Sequence, residues 1–310
     1  MNIGHLSTAY HTNFIMMADE NLKNDLNMDL NWTLFGTGPA MVKAFKNEEL
    51  DIGYMGLPPA IIGIDNGVPI KCVAGGHIEG TIMIAKQEIK NLKQLNNNLN
   101  KVFDQFKGKV IGVPSRGSIH DVILNYYLKK YNLLEEIQVR HYKQAELIAI
   151  DIKENRLVAG VGTPALAIFA STILKSHLII PPENLWANNP SYGIFIRENF
   201  IEDHEELIFI FLNHHKEASN LLRNSPSLAA RKIASSFRIF NKDYAEAVIK
   251  ISPKYCAGIS MGYLNATMKF VKILFKLGYI KRRFKMKNIF DFRFIKKLHP
   301  EKEHYSKYSK

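Results

Sequence analysis

The chain has 310 residues, of which 46% are hydrophobic and two are cysteines. This length allows one large domain or two of moderate size, and two cysteines are too few for a disulfide framework or a cysteine-rich metal site. The formal charge of +12 is concentrated in residues 269–310, which hold 14 Lys/Arg and 3 Asp/Glu, so the near-neutral remainder does not suit a nucleic-acid-binding domain.

The basic tail, residues 269–310, has two interpretations. It is a solvated segment, or it makes a peripheral contact with an anionic membrane surface or an acidic partner. No run of 18 apolar residues exists in the sequence, so no transmembrane helix is predicted.

The first predicted strand, Ile3–Leu6, follows Met1 almost at once, and no signal peptide precedes it. A polar turn occupies residues 7–12, and a helix is expected over residues 13–22. The expected location is extracytoplasmic if a leader was removed from this chain, and cytoplasmic if Met1 is the true start.

Three short predicted strands between residues 31 and 85 end in glycine-rich turns. The strands cover residues 32–35, 51–55 and 70–74, and the turns after them are Gly36-Thr37-Gly38, Gly56-Leu57-Pro58-Pro59 and Gly75-Gly76. The first two turns lead into helices, because proline suits the first helical position, where its missing N–H is not needed.

This layout predicts one wall of a small-ligand cleft. Ligands of open α/β sheets lie beyond the C-terminal ends of the strands, glycine permits close approach of the backbone, and helix N-termini favour anions. The residues expected to contact the ligand here are Gly36, Thr37, Gly38, Gly56, Leu57, Pro58, Gly76 and His77. The alternative is that the glycines only form tight turns. Glu79 would repel an anion, so it is expected to point away, to pair with Arg116 or His77, or to hold an amine of a zwitterionic ligand.

A strand ending at Pro114 repeats the strand–turn–helix order in the second half of the chain. It is followed by Ser115-Arg116-Gly117-Ser118 and by a helix from about residue 119 to 131. Ser118 suits the N-cap, with Asp121 three residues further on. A glycine turn, a hydroxyl, a helix N-terminus and an arginine together favour an anion, so Ser115, Arg116 and Ser118 are candidate ligand contacts. The alternative is an ordinary capped helix with a surface arginine.

A further strand at residues 157–161 ends in Gly162-Thr163-Pro164, which adds Thr163 to the candidates. The sequence shows no Ser/His/Asp or Cys/His set, no Walker A or GxGxxG motif and no zinc-ligand spacing. His214 and His215 point about 100° apart on their predicted helix, which does not suit a shared metal ion. No catalytic residue, metal or cofactor is therefore predicted.

Two segments carry a family resemblance. Glu49-Leu50-Asp51-Ile52-Gly53 and Gly67-Val68-Pro69-Ile70-Lys71 resemble the G-x-(I/L)-D-(I/V)-G and G-x-P-(I/L)-K patterns of solute-binding proteins of nitrate/sulfonate/taurine ABC importers. Glu49 departs from the family, which usually has glycine there, but this position belongs to a turn and not to a ligand contact. The resemblance covers roughly residues 2–290.

The resemblance implies a periplasmic-binding-protein type II fold with two α/β lobes joined by a hinge. Lobe 1 would comprise residues 1–86 plus 190–310, with the C-terminal helices packed on it, and lobe 2 residues 87–189. The loop after the first strand would line the cleft, which adds Thr8, Tyr10 and His11. The resemblance also implies that the protein is not an enzyme. It is a monomer that captures a small anionic solute of the sulfonate, taurine or nitrate type for an ABC permease and ATPase, without a cofactor.

The alternative is a cytoplasmic enzyme on the same fold. Enzymes that make the thiamine pyrimidine look similar, but they use a cysteine-rich motif that this chain lacks. Enzymes of menaquinone synthesis typically have no leader peptide. An enzyme would need a base in the cleft, for which His11, His77 and Glu79 are available.

Overall fold

The protein contains two five-stranded sheets flanked by helices, and the computed structural model describes residues 1–174 and 176–305. Residues 306–310, the end of the basic tail, lie outside the described residues. The strands are β1 (Asn2–Leu6), β2 (Asn31–Phe35), β3 (Ile52–Met55), β4 (Ile70–Ile78), β5 (Ile82–Ala85), β6 (Val110–Pro114), β7 (Gln138–Tyr142), β8 (Ala159–Gly162), β9 (His177–Ile180) and β10 (Pro190–Arg197).

Fifteen α-helices are assigned within the described residues, together with short 3₁₀ turns at Lys93–Leu95 and Pro182–Asn184. The helices are α1 (Asn13–Met17), α2 (Glu20–Leu26), α3 (Gly38–Lys46), α4 (Leu57–Asp65), α5 (Leu99–Asp104), α6 (Ile119–Lys130), α7 (Glu146–Lys153), α8 (Pro164–Leu174), α9 (Glu198–Asp203), α10 (Glu205–Asn224), α11 (Pro226–Ser236), α12 (Lys242–Ile251), α13 (Met261–Lys276), α14 (Met286–Ile289) and α15 (Arg293–Leu298). None of these described helices is both long enough and apolar enough to span a bilayer.

The first sheet has the strand order β2-β1-β3-β10-β4. Strand β1 runs parallel to β2 and β3, whereas β10 runs antiparallel to β3 and β4. Ile3 and Ile52 are paired neighbours in β1 and β3, and both are fully buried, as expected of a sheet covered on both faces. Because β3 and β4 both run antiparallel to β10, the strands β1 to β4 share one direction, and their C-terminal ends meet at one edge of this sheet.

The second sheet repeats this plan with the order β7-β6-β8-β5-β9. Strand β6 runs parallel to β7 and β8, and β5 runs antiparallel to β8 and β9. The chain crosses to the second sheet before β5 and returns before β10. The result is the two-lobed α/β architecture expected from the sequence.

The first crossing occurs earlier than the sequence indicated. Residues 82–85 were expected in the first lobe, within residues 1–86, but they form β5 and pair with β8 and β9 of the second sheet. Strand β10 returns the chain to the first sheet at Pro190. We propose that the lobes divide near residues 79–81 and 187–189.

Gly75 and Gly76 do not end a strand, as was expected, because β4 continues through them to Ile78. A Cβ on Gly76 would lie 2.1 Å from the ring of Tyr192, and one on Gly75 would lie 2.4 Å from the carbonyl oxygen of Gly258. Both distances are shorter than any real contact of a Cβ atom. These glycines therefore serve close packing against β4, and not a turn.

The expected helix over residues 13–22 is two helices, α1 and α2. The break falls at Asp19, whose carboxylate accepts a hydrogen bond from the N–H of Asn21 at 3.3 Å and caps α2. A side-chain acceptor at this position competes with continuation of the helix, which explains the break.

The C-terminal segment packs against the edge strand of the first sheet. The N–H of Asp291 donates to the carbonyl of Cys72 in β4 at 3.0 Å, and Nζ of Lys71 donates to the carbonyl of Asn288 at 3.0 Å. Phe290 and Cys72 also form a parallel bridge. These contacts cover the outer edge of β4, which would otherwise present unpaired backbone groups.

An ion pair joins the beginning of β3 to the end of β10. Asp51 accepts a hydrogen bond from Nη2 of Arg197 at 2.7 Å and another from the N–H of Asn2 at 2.8 Å, and its side chain is 11% exposed. We expect Asp51→Asn to lower the free energy of unfolding by about 2 kcal/mol, because the buried guanidinium of Arg197 then keeps only the exposed carboxylate of Glu48, 3.5 Å away, as a charged partner. Urea unfolding followed by circular dichroism measures this change.

The matched control is Asp29→Asn, which removes the exposed pair between Lys23 and Asp29 at 2.8 Å. An exposed pair contributes little to stability, so this variant should unfold at the same urea concentration as the parent. Equal unfolding midpoints for the two variants would contradict a structural role for the Asp51 ion pair.

Candidate functional site

A cavity of about 70 Å³ lies between the two sheets. It is lined by residues that follow the C-terminal ends of six of the eight parallel strands, β1, β2 and β3 from the first sheet and β6, β7 and β8 from the second. The lining residues are Leu6, Ser7, Thr8, Tyr10, His11, Gly36, Thr37, Gly38, Gly56, Pro59, Pro114, Ser118, Ile119, His120, Ala145, Glu146, Thr163, Ala165 and Ser191. This is the position at which ligands of α/β sheets bind.

Five helices begin at the cavity. The residues that precede α3, α4, α6, α7 and α8 all line it, namely Thr37, Gly56, Ser118, Ala145 and Thr163. The side-chain oxygens of Thr37, Ser118 and Thr163 each accept one backbone N–H of their own helix, at 3.3–3.4 Å. Other N–H groups in a first helical turn have no partner within the helix, so five partial positive charges converge on this space.

No lysine or arginine is among the lining residues, all of which lie in the described part of the chain. Their one acidic side chain is Glu146, which is exposed at the first position of α7. The attraction for an anion therefore comes from neutral N–H and O–H groups. The lining therefore offers an anion N–H and O–H donors but no side chain of opposite charge.

Two buried polar atoms of the lining have no hydrogen-bond partner among the described residues. They are Oγ1 of Thr8 and Nδ1 of His11, and these residues are 8% and 2% exposed. A backbone hydrogen bond from the N–H of His11 to the carbonyl of Thr8, at 3.0 Å, holds the two residues in one turn. Buried polar atoms usually have partners, so this turn offers two unused positions to a ligand.

Aromatic rings fix the orientation of His11. The ring of Tyr192 lies 4.0 Å from it, centroid to centroid and tilted by 31°, and Tyr10 meets it edge-on at 4.7 Å. The hydroxyl of Tyr10 is in turn hydrogen-bonded to Oγ of Ser191 at 3.1 Å. The polar groups at this end of the cavity are therefore held in place before any ligand arrives.

The histidines of this region are neutral at pH 7. Burial lowers the pKa of His11 well below its usual value, and it lowers the pKa values of His77 and His120 to about 3. His120 lines the cavity, and its Nδ1 lies 3.1 Å from Oγ1 of Thr81. These imidazoles can form hydrogen bonds with a ligand but supply no positive charge to it.

Nine of the fifteen residues predicted from the sequence line the cavity, although ligand contact remains a prediction for all of them. The nine are Thr8, Tyr10, His11, Gly36, Thr37, Gly38, Gly56, Ser118 and Thr163. Leu57 and Pro58 do not line it but lie buried in the first turn of α4, and Gly76 and His77 lie within β4.

Ser115 and Arg116 also lie outside the cavity lining. The guanidinium of Arg116 is stacked over the ring of Tyr279, 5.6 Å from its centroid, in a separate groove beside α3. Gly117 turns the chain between Arg116 and Ser118 with a φ of +81°. The hydroxyl of Ser118 therefore faces the cavity, whereas the arginine side chain does not.

Glu79 is occupied by two partners of its own. Its carboxylate accepts Nζ of Lys254 at 2.6 Å and the N–H of Asn188 at 2.8 Å, and it is 3% exposed. Neither of the expected partners, Arg116 and His77, is involved. Glu79 therefore joins the two crossings between the lobes and does not line the cavity.

Ten of the lining residues were not predicted from the sequence. They are Leu6, Ser7, Pro59, Pro114, Ile119, His120, Ala145, Glu146, Ala165 and Ser191. Most adjoin a turn that was recognised, so extending each turn by one or two residues would have included them. Ser191 had no such signal, because it lies on β10, which reaches the cavity only through the pairing of distant strands.

The sequence of residues 1–237 matches a model of the NMT1-like family. No curated protein matches the chain. Among solved structures, the chain is similar to the ligand-binding component of an ABC-type import system from Staphylococcus aureus, solved with zinc bound. The identity is 14%, the TM-score is 0.79, and the match covers 97% of this chain and 99% of that one.

Two further solved structures are similar. The alkanesulfonate-binding protein SsuA from Xanthomonas axonopodis pv. citri, bound to MOPS, has 13% identity and a TM-score of 0.76, with 94% of this chain and 97% of that one covered. The periplasmic nitrate-binding protein NrtA from Synechocystis PCC 6803 has 10% identity and a TM-score of 0.72, with 90% and 81% covered. At these identities the similarity confirms the predicted two-lobed fold.

Buried neutral histidines make the stability of this fold depend on pH. His215 supports the region behind the cavity, with Nδ1 2.8 Å from Oγ1 of Thr12 and Nε2 2.8 Å from the carbonyl of Gly75. Burial lowers its pKa to about 4. Below about pH 6.5 the unfolded chain binds a proton at this residue and the folded chain does not, so the free energy of unfolding falls as the pH falls.

We expect His215→Gln to lose this part of the pH dependence. Between pH 7.5 and 5.5 the parent should lose about 1.4 kcal/mol more of its unfolding free energy than the variant does. Urea unfolding at the two pH values measures the difference. His204→Gln is the control, because His204 is exposed. An equal change of pH dependence in both variants would contradict burial as its cause.

Proposed function

The chain belongs to the NMT1-like family, and from this premise we propose that it is the solute-binding component of an ABC importer. Its solute is a small oxyanion of the sulfonate, taurine or nitrate type, held between the two lobes. A membrane permease and its ATPase would receive the solute when the lobes open. The protein acts as a monomer on the extracytoplasmic side of the membrane.

The observation that carries this proposal is the convergence of five helix N-termini on one cavity between the lobes. Free N–H groups at helix N-termini bind anions, and their number here allows several oxygens to be bound at once. Oγ1 of Thr8 and Nδ1 of His11 add two buried polar atoms with no partner among the described residues. A ligand with three oxygens around a central atom, such as a sulfonate or nitrate, matches such converging groups.

The volume of the cavity and the charge at its edge further restrict which solute fits. One water needs about 10–15 Å³ of such space, so a cavity of about 70 Å³ has room for roughly five to seven heavy atoms. The exposed carboxylate of Glu146 lies at the cavity, where it suits the ammonium group of a zwitterion. Taurine, with a sulfonate at one end and an amine at the other, combines both features.

A non-catalytic role is supported by the state of the buried histidines. A general base is most effective when its pKa lies near the working pH. Burial lowers the pKa of His11, His77 and His120 far below that range. Glu79, the other base considered, is engaged by Lys254 and the N–H of Asn188.

A thermal-shift screen of the purified protein tests this function. The panel contains nitrate, taurine, several alkanesulfonates, bicarbonate, a thiamine-type pyrimidine and chorismate. A compound that binds only the folded protein raises the unfolding midpoint with its concentration. A shift with nitrate, taurine or a sulfonate, without turnover, is the expected result. Conversion of chorismate or the pyrimidine to a product would overturn the proposal in favour of an enzyme.

Thr8→Val separates binding from stability at the cavity. The substitution replaces a buried hydroxyl, which has no partner among the described residues, by a methyl group of similar size. The free energy of unfolding should therefore remain the same or rise, because no hydrogen bond is lost and an unsatisfied group is removed. The Kd of the anion found in the screen should rise roughly tenfold, the loss of one hydrogen bond.

Ser219→Ala is the matched control for this variant. Oγ of Ser219 is also buried without a partner among the described residues, but it lies on α10 and does not line the cavity. It should show the same neutral or stabilising effect and an unchanged Kd by isothermal titration calorimetry. An unchanged Kd in Thr8→Val, with the anion still bound, would show that the ligand does not contact this turn.

A further inference from the structure

Three metal-ligating side chains meet near the C-terminal end of the described chain, away from the cavity. Sγ of Cys256 lies 3.1 Å from Nε2 of His299 and 3.5 Å from Nδ1 of His304. The two histidine nitrogens are 3.4 Å apart. Cys256 and His299 are buried and His304 is half-buried, and none of the three lines the cavity between the lobes.

These separations fit tetrahedral zinc coordination. Zinc binds thiolate sulfur at about 2.3 Å and imidazole nitrogen at about 2.0–2.1 Å, so its tetrahedral ligand atoms lie about 3.3–3.6 Å from one another. The three observed distances fall at or close to this range. One thiolate with two imidazoles is also a donor set that zinc prefers over magnesium or calcium.

Neighbouring backbone groups form hydrogen bonds that orient two of these side chains. Nδ1 of His299 lies 3.0 Å from the carbonyl oxygen of Glu301, to which it can only donate, and this leaves Nε2 with a free lone pair directed at the cluster. The N–H of Gly258 donates to Sγ of Cys256 at 3.3 Å, which holds the sulfur in position. Hydrogen bonds of this kind orient metal ligands in known sites.

A fourth ligand and a route from solvent are both present. Oε1 of Glu301 lies 3.6 Å from Nε2 of His299 and is held by Nζ of Lys216 at 2.9 Å. An open groove lined by His299, Glu301 and Glu303 borders the cluster. Either a carboxylate or a water molecule can therefore complete the coordination.

We propose that Cys256, His299 and His304 bind one Zn²⁺ ion that fastens the C-terminal segment to the first lobe. The N–H of Cys256 donates to the carbonyl of Gly76 in β4 at 3.1 Å, so the ion is tied to the sheet through this residue. The hydroxyl of Tyr305 already donates to the carbonyls of Cys256 and Gly258, at 2.7 and 2.9 Å. The metal adds a second link between the C-terminal segment and the first lobe at the same place. Its role is structural, since it lies apart from the ligand cavity.

Zinc retention by the full chain tests the proposal. The protein is loaded with ZnCl₂ and dialysed into metal-free buffer, and zinc per chain is measured by inductively coupled plasma mass spectrometry. One zinc per chain is expected for the parent and none for Cys256→Ser, and His304→Ala should weaken zinc binding at least about tenfold. Replacement of zinc by Co²⁺ should give a thiolate-to-cobalt charge-transfer band in the parent, a readout that needs no variant.

Two control variants distinguish this site from surface binding. Cys72→Ala removes the other cysteine, and His214→Gln removes a histidine bonded to Asp19 and Asp25. Both should retain one zinc per chain. Failure of the parent to retain zinc, loss of zinc in His214→Gln, retention in Cys256→Ser, or binding of copper without zinc would each overturn the assignment. None of these results depends on which solute the cavity binds.

Discussion

The two crossings between the lobes depend on one buried carboxylate. Glu79 adopts a left-handed backbone conformation, with a φ of 60°, and its N–H donates to the carbonyl of Asn189 in the other crossing at 2.8 Å. Its side chain binds the N–H of Asn188 and the ammonium of Lys254. A buried carboxylate without such partners would be strongly destabilising, so both crossings and the segment around Lys254 are held together. The cavity lies between the lobes that these contacts connect.

The parts of the fold and of the site that could be predicted are those marked by short sequence patterns at the ends of strands and the beginnings of helices. Each half of the chain has short strands followed by small residues that cap helices, and Thr37, Ser118 and Thr163 do cap the helices that follow them. Six of the nine predicted residues that line the cavity come from such turns, and the other three, Thr8, Tyr10 and His11, came from the family resemblance. Glycine was less informative, because the same residue marks a tight turn at one position and close packing at another. At Gly76 only the ring of Tyr192, more than a hundred residues away in sequence, decides between the two.

The remaining features depend on long-range contacts that no local pattern contains. Ser191 lies at the cavity on β10, the antiparallel strand by which the chain returns from the second lobe to the first sheet. Arg116, the most evident cation beside the predicted anion site, is directed outward and stacks on Tyr279. Contrary to the expectation that the sequence contains no zinc-ligand spacing, His299 and His304 have a spacing that is common among zinc ligands. Their cysteine is 43 residues before His299, so only the folded chain brings the three together.

The absence of lysine and arginine from the lining of the cavity, within the described residues, has a consequence for the proposed capture of an anion. Neutral dipoles attract an anion only at short range, so any dependence of the association rate on salt concentration has to come from the net charge of +12, which lies outside the lining of the cavity. A dianion would enter a site with no compensating cation among its lining residues and would meet Glu146 at its edge. Under the proposed function, release would leave no ion pair to break, because separation of the lobes would withdraw the helix N-termini and let water replace them.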